Sequence, residues 1–253
     1  MHKTLILPDI HGRGIWQYIV QKENADRVIF LGDYFDSYDI PGLDQIHNFK
    51  QIIEFKETSF TNEGTDNQHK TEVILLIGNH DYHYFPEIGY TGTSGYQGGL
   101  APNIVHVIND NRDHLQMAYK MDNFLFSHAG VSNQFMDEVF GKDGWNIDSV
   151  DSDLNELFKY KPLAFEFNPY DRSGYGDHIG QTPIWIRPVA LIKANREHEL
   201  KKKYIQIVGH THMKHIDYEG KSTGGRYYFV DTFNNVHSEY LTIIDGEIKL
   251  NSI

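Results

Sequence analysis

Short apolar runs alternate with amphipathic stretches in the first third of the chain. Residues 4–7, 27–31 and 73–77 are largely apolar runs of strand length, which is typical of buried strands. Residues 14–23 and 43–57 carry apolar side chains at roughly helical spacing, so we predict helices there. This part of the chain therefore predicts a regular alternation of strand and helix.

The remainder of the chain is richer in predicted strands than in predicted helices. We predict strands at 117–121, 124–127, 204–208, 227–230 and 239–244, and helices at 132–140 and 150–159. Early strand–helix alternation followed by a strand-rich second half predicts an α/β (α+β) fold of two sheets packed face to face, with helices outside. Because no linker, repeat or low-complexity run interrupts the sequence, we expect residues 1–253 to form one domain.

Two segments predict loops rather than regular structure. Residues 58–70 are polar and indicate a surface loop, whereas residues 82–102 are rich in glycine and tyrosine and indicate a mobile loop over a site. The tyrosines of the second loop either stack on the base of a nucleotide or pack the loop itself. The sequence leaves both roles open for Tyr82, Tyr84, Tyr90 and Tyr96.

Side chains that can bind metal ions follow five of the predicted strands. All of them offer oxygen or imidazole nitrogen, and none offers sulfur. Side chains two positions apart in an extended segment point to one face, which applies to Asp9 with His11 and to His210 with His212. Since ligand sites of open α/β sheets lie where strands end, these side chains are expected to converge. The candidate ligands are Asp9, His11, Asp33, Asn79, His128, His210 and His212.

This set of donors suits a pair of divalent cations. Two such ions need about eight to twelve donors between them, some from water. One carboxylate can bridge both ions and hold them roughly 3.5–4 Å apart. Asp33 is the candidate bridge, and Asn79 offers a neutral oxygen that limits the negative charge. Each short pattern alone is compatible with a turn or a helix cap, but their joint occurrence favours a metal centre.

Composition narrows the compartment and the partners. The chain has no cysteine, which excludes disulfides and thiolate metal sites and fits a reducing compartment. The apolar run near the N-terminus is too short for a signal peptide or a membrane span, so we expect a cytoplasmic protein without membrane attachment. A formal net charge of −12 disfavours long nucleic acids. It permits a small phosphorylated substrate, a nucleotide or a phosphoprotein if bound cations reverse the charge locally.

The ordered series of polar segments resembles the calcineurin-like metallophosphoesterase superfamily. The segments are Asp-Ile-His-Gly at 9–12, Gly-Asp-Tyr-Phe-Asp at 32–36, Gly-Asn-His-Asp at 78–81, Ser-His-Ala-Gly-Val-Ser at 127–132 and Gly-His-Thr-His at 209–212. The second and fourth are similar to the phosphoprotein-phosphatase-like branch, which includes bacterial diadenosine tetraphosphate hydrolases and phage phosphatases. The resemblance spans residues 5 to about 244 and implies a four-layer α-β-β-α sandwich of two mixed sheets.

The resemblance also implies two divalent metal ions (Mn, Fe, Zn or a mixture) and a role for each matching residue. Asp33 would bridge the ions, with Asp9, His11 and His212 on the first and Asn79, His128 and His210 on the second. His80 matches the catalytic histidine of the family, and Asp36 matches the acid that orients it.

A dinuclear centre of this kind predicts hydrolysis of a phosphate ester. Two cations generate hydroxide from a bridging water near neutral pH and neutralise the phosphate oxygens. Protonated His80 would give its proton to the leaving alkoxide, and Asp36 would raise the charged fraction of His80. We therefore expect hydrolysis of phosphate monoesters or anhydrides. A phosphodiesterase, a dinucleoside polyphosphate hydrolase and a catalytically weak protein-binding scaffold are the alternatives.

Two positions depart from the pattern of the protein phosphatases. Ser37 stands where that branch has an arginine that grips phosphate, and Asp81 stands where glutamate is frequent. Arg187, in a Trp-containing segment similar to one of that branch, and Arg13 are the candidate replacements. Arg187 is equally compatible with a surface arginine next to a proline. The missing arginine weakens the expectation of phosphoprotein activity.

Overall fold

The structure is a computed structural model that describes residues 2–61, 71–219, 226–233 and 238–253. The strands are β1 (Lys3–Leu7), β2 (Arg27–Phe30), β3 (Glu72–Leu76), β4 (Leu115–Gln116), β5 (Ala118–Met121), β6 (Phe124–Ser127), β7 (Ile205–Val208), β8 (Asp217–Glu219), β9 (Tyr227–Phe229), β10 (Glu239–Ile244) and β11 (Glu247–Ser252). The helices are α1 (Ile15–Glu23), α2 (Gly42–Thr61), α3 (Asn79–Tyr82), α4 (Ala101–Asp110), α5 (Asn133–Phe140), α6 (Val150–Tyr160), α7 (Pro188–Ala194) and α8 (Glu199–Lys203).

The strands form two mixed sheets, as expected. The first sheet has the order β11-β10-β1-β2-β3-β4, with β1 to β4 parallel, β10 antiparallel to β1 and β11 antiparallel to β10. The second sheet has the order β5-β6-β7-β9-β8, in which β6, β7 and β9 are parallel and the outer strands are antiparallel. The predicted hairpin about Asp122-Asn123 is the β5–β6 pair, in which Met121 opposes Phe124.

The two sheets pack face to face through one set of strand side chains. Ile6 and Ile29 of the first sheet join Phe126 and Ile207 of the second in a fully buried cluster. Because successive strand residues face opposite sides, the intervening residues face the helices. Helices α1 and α2 cover the first sheet, where the Trp16 ring lies 5.6 Å from that of Phe30. The predicted four-layer α-β-β-α sandwich is confirmed.

Some predicted boundaries were wrong. The predicted loop at 58–70 begins too early, since residues 58–61 form the last turn of α2, and residues 62–70 lie outside the described residues. The predicted mobile loop at 82–102 begins with residues packed in the core, because Tyr82, Tyr84 and Phe85 are fully buried. Among the helices described, none has the length and apolarity that a membrane crossing requires.

Candidate metal centre

The parallel register places the ends of β1, β2 and β3 side by side. Leu7 pairs with Phe30, and Phe30 pairs with Leu75, so the residues that follow these strands reach the same edge of the first sheet. We call this region the first-sheet edge. In the second sheet, β6, β7 and β9 are likewise parallel, and the residues after them form the second-sheet edge. The backbone N–H of His210 lies 3.1 Å from both carboxylate oxygens of Asp9, so the two edges meet.

Three candidate ligands of the first-sheet edge form a compact group. One donor atom each from Asp9, His11 and Asp33 lies within 4.8 Å of the others, a spacing at which a single metal ion can be held. Both carboxylates are 2% exposed, and His11 is partly buried. His212, predicted as the fourth ligand of this ion, is exposed and lies outside the group.

A second group joins the two edges. The Asn79 side-chain oxygen lies 3.0 Å from His128 Nε2 and 2.8 Å from His210 Nδ1. Asp33 Oδ2 lies 3.4 Å from His128 Nε2 and 3.8 Å from His11 Nε2. The same Asp33 oxygen therefore faces both groups of donors, as a bridging carboxylate requires.

The loops that carry these side chains adopt an unusual backbone conformation. His11, Asp33, Asp36 and His210 have φ values of 43°, 52°, 65° and 65°. Positive φ in a residue with a side chain costs of the order of 1–3 kcal/mol and persists only where the surroundings enforce it. At Asp33 the constraint is visible, because its carbonyl oxygen accepts hydrogen bonds from the backbone N–H groups of Ile10 and His11 at 3.0 and 2.7 Å.

Asp81 holds the Asp33 loop from the other side. Its buried carboxylate accepts hydrogen bonds from the backbone N–H groups of Asp33, Tyr34 and Gly78 at 2.8, 2.7 and 2.9 Å. Burial, together with the charge of Asp33, raises the pKa of Asp81 to about 7. The sequence analysis gave Asp81 no role, and its position in the Gly-Asn-His-Asp segment was the available signal.

Two glycines allow the carboxylates to approach the backbone. A Cβ atom on Gly78 would lie 2.0 Å from Asp33 Oδ1, and one on Gly209 would lie 2.0 Å from Asp9 Oδ1. At Gly209 the clash is with the Asp9 side chain alone, whereas at Gly78 the Cβ would also lie 2.5 Å from the Asp33 backbone nitrogen, so any larger residue would displace these carboxylates.

The electrostatics of the centre fit a site built for cations. Burial alone would raise the pKa of Asp33, but the charges of His128 and His80 hold it well below its ordinary range. Burial and the neighbouring Asp231 carboxylate raise the pKa of Asp9 well above its ordinary value. Burial would lower the pKa of His128, but Asp33 and Asp9 raise it to about 10. Asp33 and Asp9 thus favour the protonated form of His128, whereas burial lowers the pKa of His11 to about 4.

The candidate acid lies beside this centre. The His80 backbone N–H donates to Asp33 Oδ1, and His80 Nδ1 lies 2.9 Å from Asp36 Oδ2. Burial lowers the pKa of His80, but Asp33 and Asp36 outweigh it, and the pKa is above its ordinary value. The Tyr84 hydroxyl donates to Asp36 Oδ1 at 2.6 Å, and His83 Nε2 lies 2.9 Å from Asp36 Oδ2. The sequence analysis did not assign Tyr84 or His83 to this network.

Both candidate arginines lie at the rim of the centre. Arg187 donates through Nη1 to the carbonyl of His210 and to the Thr211 hydroxyl at 3.2 and 3.0 Å. Its charge is attracted by Asp9 and Asp33. Arg13 Nη2 lies 3.4 Å from Asp39 Oδ1, with its guanidinium partly buried.

A cavity of about 270 Å³ adjoins the candidate acid. It is lined by His11, Arg13, Asp36, Ser37, Tyr38, Asp39, His80 and Ser94. The candidate ligand His11, the candidate acid His80 and the candidate phosphate-binding Arg13 therefore line the same cavity.

The tyrosines of the 82–102 segment divide into two classes. Tyr82 and Tyr84 are fully buried, and the Tyr96 ring stacks on Tyr84 at 5.1 Å, so these three pack the segment. Tyr90 is 62% exposed, and its ring lies 4.6 Å from that of Tyr96, so it combines packing within the segment with an exposed surface.

Comparison with known proteins gives a sequence match and a structural match. The sequence profile of the calcineurin-like phosphoesterases matches residues 2–214. A search of curated protein sequences finds no match. Among solved structures, a cold-active protein-tyrosine phosphatase of the psychrophile Shewanella sp. has a TM-score of 0.64 at 13% identity, over 100% of this chain and 80% of that one.

Other structural neighbours are more distant. A putative diadenosine tetraphosphatase has a TM-score of 0.47 at 13% identity, over 99% of this chain and 93% of that one. A metallophosphoesterase from Sphaerobacter thermophilus has a TM-score of 0.43 at 12% identity, over 100% of this chain and 88% of that one. The match to the tyrosine phosphatase, at 13% identity, shows a shared fold and does not transfer a substrate.

Proposed function

Since the chain belongs to the calcineurin-like phosphoesterase family, we propose that it is a metal-dependent hydrolase of phosphate monoesters or phosphoanhydrides. One observation carries the proposal: Asp33 Oδ2 faces His11 Nε2 at 3.8 Å and His128 Nε2 at 3.4 Å, while Asp33 Oδ1 accepts from the backbone of His80. A single carboxylate thus connects two sets of metal donors with the candidate acid.

The proposed centre holds two divalent cations. The donors suit Mn, Fe or Zn, because all of them are imidazole nitrogen or oxygen. The cations would supply an activated water and neutralise the phosphate oxygens. The proposed ligands are Asp9, His11, Asp33 and His212 for one ion, and Asp33, Asn79, His128 and His210 for the other.

His80 is proposed as the general acid. The Asp36 carboxylate lies against Nδ1, which leaves Nε2 to donate a proton to the leaving oxygen of the substrate. Tyr84 holds the other oxygen of Asp36, so the carboxylate cannot turn away from His80 without losing that hydrogen bond. The raised pKa of His80 favours the protonated form that an acid needs.

Arg187 and Arg13 are proposed to bind the phosphate oxygens. Arg187 already donates to the loop that carries His210, and Arg13 lines the cavity that contains His80. Both can supply the positive charge that Ser37 cannot.

A panel of metals and substrates tests the function. The purified protein is stripped of metal and reloaded with Mn²⁺, Fe²⁺ or Zn²⁺, and hydrolysis of p-nitrophenyl phosphate is compared with that of bis(p-nitrophenyl) phosphate. We expect metal-dependent turnover with the monoester preferred and with about two ions bound per chain. A preference for the diester would identify a phosphodiesterase, and bound metal without turnover of either compound would indicate a scaffold.

A further inference from the structure

Asp231 is a further carboxylate that the fold delivers to the metal centre. It follows β9, which runs parallel to β7 with Phe229 opposite Val208. The pairing continues beyond the strands, because the Val230 N–H donates to the Val208 carbonyl at 2.8 Å. Two residues past the end of its strand, Asp231 therefore stands at the level of His210 on the second-sheet edge. The other ligands were predicted because they follow a strand closely, and Asp231 meets the same criterion.

The loop of candidate ligands is tied to Asp231 through the backbone. The Met213 N–H donates to the Asp231 carbonyl at 2.7 Å, one residue after His212. This hydrogen bond fixes the end of the Gly-His-Thr-His segment against the residue that follows β9. His212 and Asp231 are thus held on adjacent stretches of backbone.

The Asp231 side chain has an unused acceptor. The residue is 3% exposed, and its Oδ1 has no hydrogen-bond partner within the part of the chain that the structure describes. A buried carboxylate oxygen without a donor is costly, so such groups in native proteins require an explanation. By contrast, Asp81, at the first-sheet edge, has three backbone donors.

The charges around Asp231 are those of the metal centre. The groups that act on it electrostatically include His212, Asp33, His128 and Arg13, and it also acts on Asp9 and Arg187. Burial and the Asp33 carboxylate raise the pKa of Asp231 to about 6, while His212 and His128 oppose this rise. Asp9, Asp33 and Asp231 are therefore buried close enough to act on one another electrostatically, beside the imidazoles of His128 and His212.

We propose that Asp231 is a positioning residue of the metal centre, whose Oδ1 accepts a hydrogen bond from His212 when a divalent cation is bound. His212 is exposed and outside the Asp9–His11–Asp33 group, so it must move inward to serve as a ligand. A ligating imidazole almost always donates its second ring N–H to an oxygen such as a carboxylate. Asp231 supplies that oxygen and adds its negative charge to the field that attracts the cation. This inference rests on the metal-binding part of the proposed function.

The affinity for Mn²⁺ tests the proposal without reference to turnover. Mn²⁺ binding to the metal-free protein is measured by calorimetry for wild type, Asp231→Asn, His212→Gln and the double variant. We expect Asp231→Asn to weaken binding about 10- to 100-fold. Because both residues act through one hydrogen bond, the double variant should be little weaker than His212→Gln alone.

Controls separate this proposal from the general function. Asp177→Asn removes an exposed carboxylate whose charge also reaches Arg187, and its affinity for Mn²⁺ should stay within about twofold of wild type. If the wild-type protein binds no Mn²⁺, the proposed metal-dependent function itself is refuted. Wild-type binding that survives Asp231→Asn unchanged, or additive losses in the double variant, would overturn only the role of Asp231.

The thermal stability of the metal-free protein gives a second readout. If Asp231 Oδ1 is an unpaired buried acceptor, Asp231→Asn should unfold at a higher Tm than wild type without metal and gain less Tm from added Mn²⁺. A lower Tm of the metal-free variant would show that the carboxylate already has a structural partner, and the proposal would fail.

Discussion

The two edges of the candidate metal centre differ in how firmly hydrogen bonds hold their side chains. At the first-sheet edge, backbone N–H groups and a tyrosine hydroxyl hold the carboxylates of Asp33, Asp36 and Asp81 in place. At the second-sheet edge, His128 and His210 both turn toward the Asn79 oxygen, and Asp231 Oδ1 has no partner among the described residues. The first edge is therefore fixed by the fold itself, whereas the second would be completed by the cations that we propose. Substitutions at the two edges should therefore differ in whether they change protein stability, metal binding or turnover.

The largest effect is expected at His80, which belongs to the first edge and binds no metal in our proposal. His80→Ala should retain both ions and lower kcat about 100- to 10,000-fold, because the leaving oxygen loses its proton donor. Elemental analysis and steady-state kinetics on the same preparation measure both quantities. The loss should be greater for phenyl phosphate than for p-nitrophenyl phosphate, whose leaving group needs less protonation. Loss of metal in proportion to kcat would refute the acid role.

A smaller effect is expected at the rim of the second edge. Arg187→Ala should reduce kcat/KM about 10-fold or more, since a charge-assisted hydrogen bond to phosphate is worth about 1.5–3 kcal/mol. Arg172→Ala removes an exposed arginine elsewhere in the chain and is the matched control. Kinetics equal to those of the control would dismiss Arg187 as a phosphate ligand.

Asp81→Asn, at the first edge, should lower the stability of the metal-free protein, whereas Asp231→Asn, at the second edge, should raise it. Asp81→Asn weakens the acceptor for three backbone N–H groups and should lower the free energy of unfolding of the metal-free protein by about 1–3 kcal/mol. Denaturant unfolding of both metal-free variants measures the contrast. Equal changes in the free energy of unfolding for Asp81→Asn and Asp231→Asn would contradict the proposal that the fold satisfies the buried carboxylate at the first edge but not at the second.

The smallest effect is a dependence on pH. Burial raises the pKa of Asp231 to about 6 from an ordinary 3.8, so the folded protein holds this proton at a pH where the unfolded chain has released it. The wild-type protein therefore loses stability relative to Asp231→Asn as the pH rises from about 4 to about 6. Melting both metal-free proteins across this range should show a Tm difference that grows with pH. A difference that stays constant or shrinks contradicts the expected sign.

The sequence was most informative where chemistry follows a strand. Asp9, Asp33 and His128 were predicted as ligands because each follows an apolar run within two residues, and parallel strands deliver such residues to one edge. Asp231 obeys the same rule and follows the predicted strand at 227–230, yet a single aspartate without a neighbouring histidine carried no signal of its own.

Other features depend on contacts that no local pattern encodes. Helices α7 and α8 have only 7 and 5 residues, too few to display a helical period. Strand β11 is the outermost strand of the first sheet and has mostly exposed side chains, so its sequence shows no apolar run. The support of Asp33 by Asp81 joins residues 48 positions apart in the chain, and the exposure of His212 is set by the packing of its loop.

The glycines before Asn79 and His210 offer a way to study two proposed metal ligands, Asp33 and Asp9, without changing their chemistry. Alanine in place of Gly78 would press its methyl group onto the Asp33 carboxylate, and alanine in place of Gly209 would press onto that of Asp9. Each exchange displaces one acid by steric contact alone while every coordinating atom of the wild type remains in the chain. In the cobalt-loaded forms, absorption bands that change in both would belong to the proposed ion that Asp9 and Asp33 share, and bands that change only on displacement of Asp33 would belong to the other.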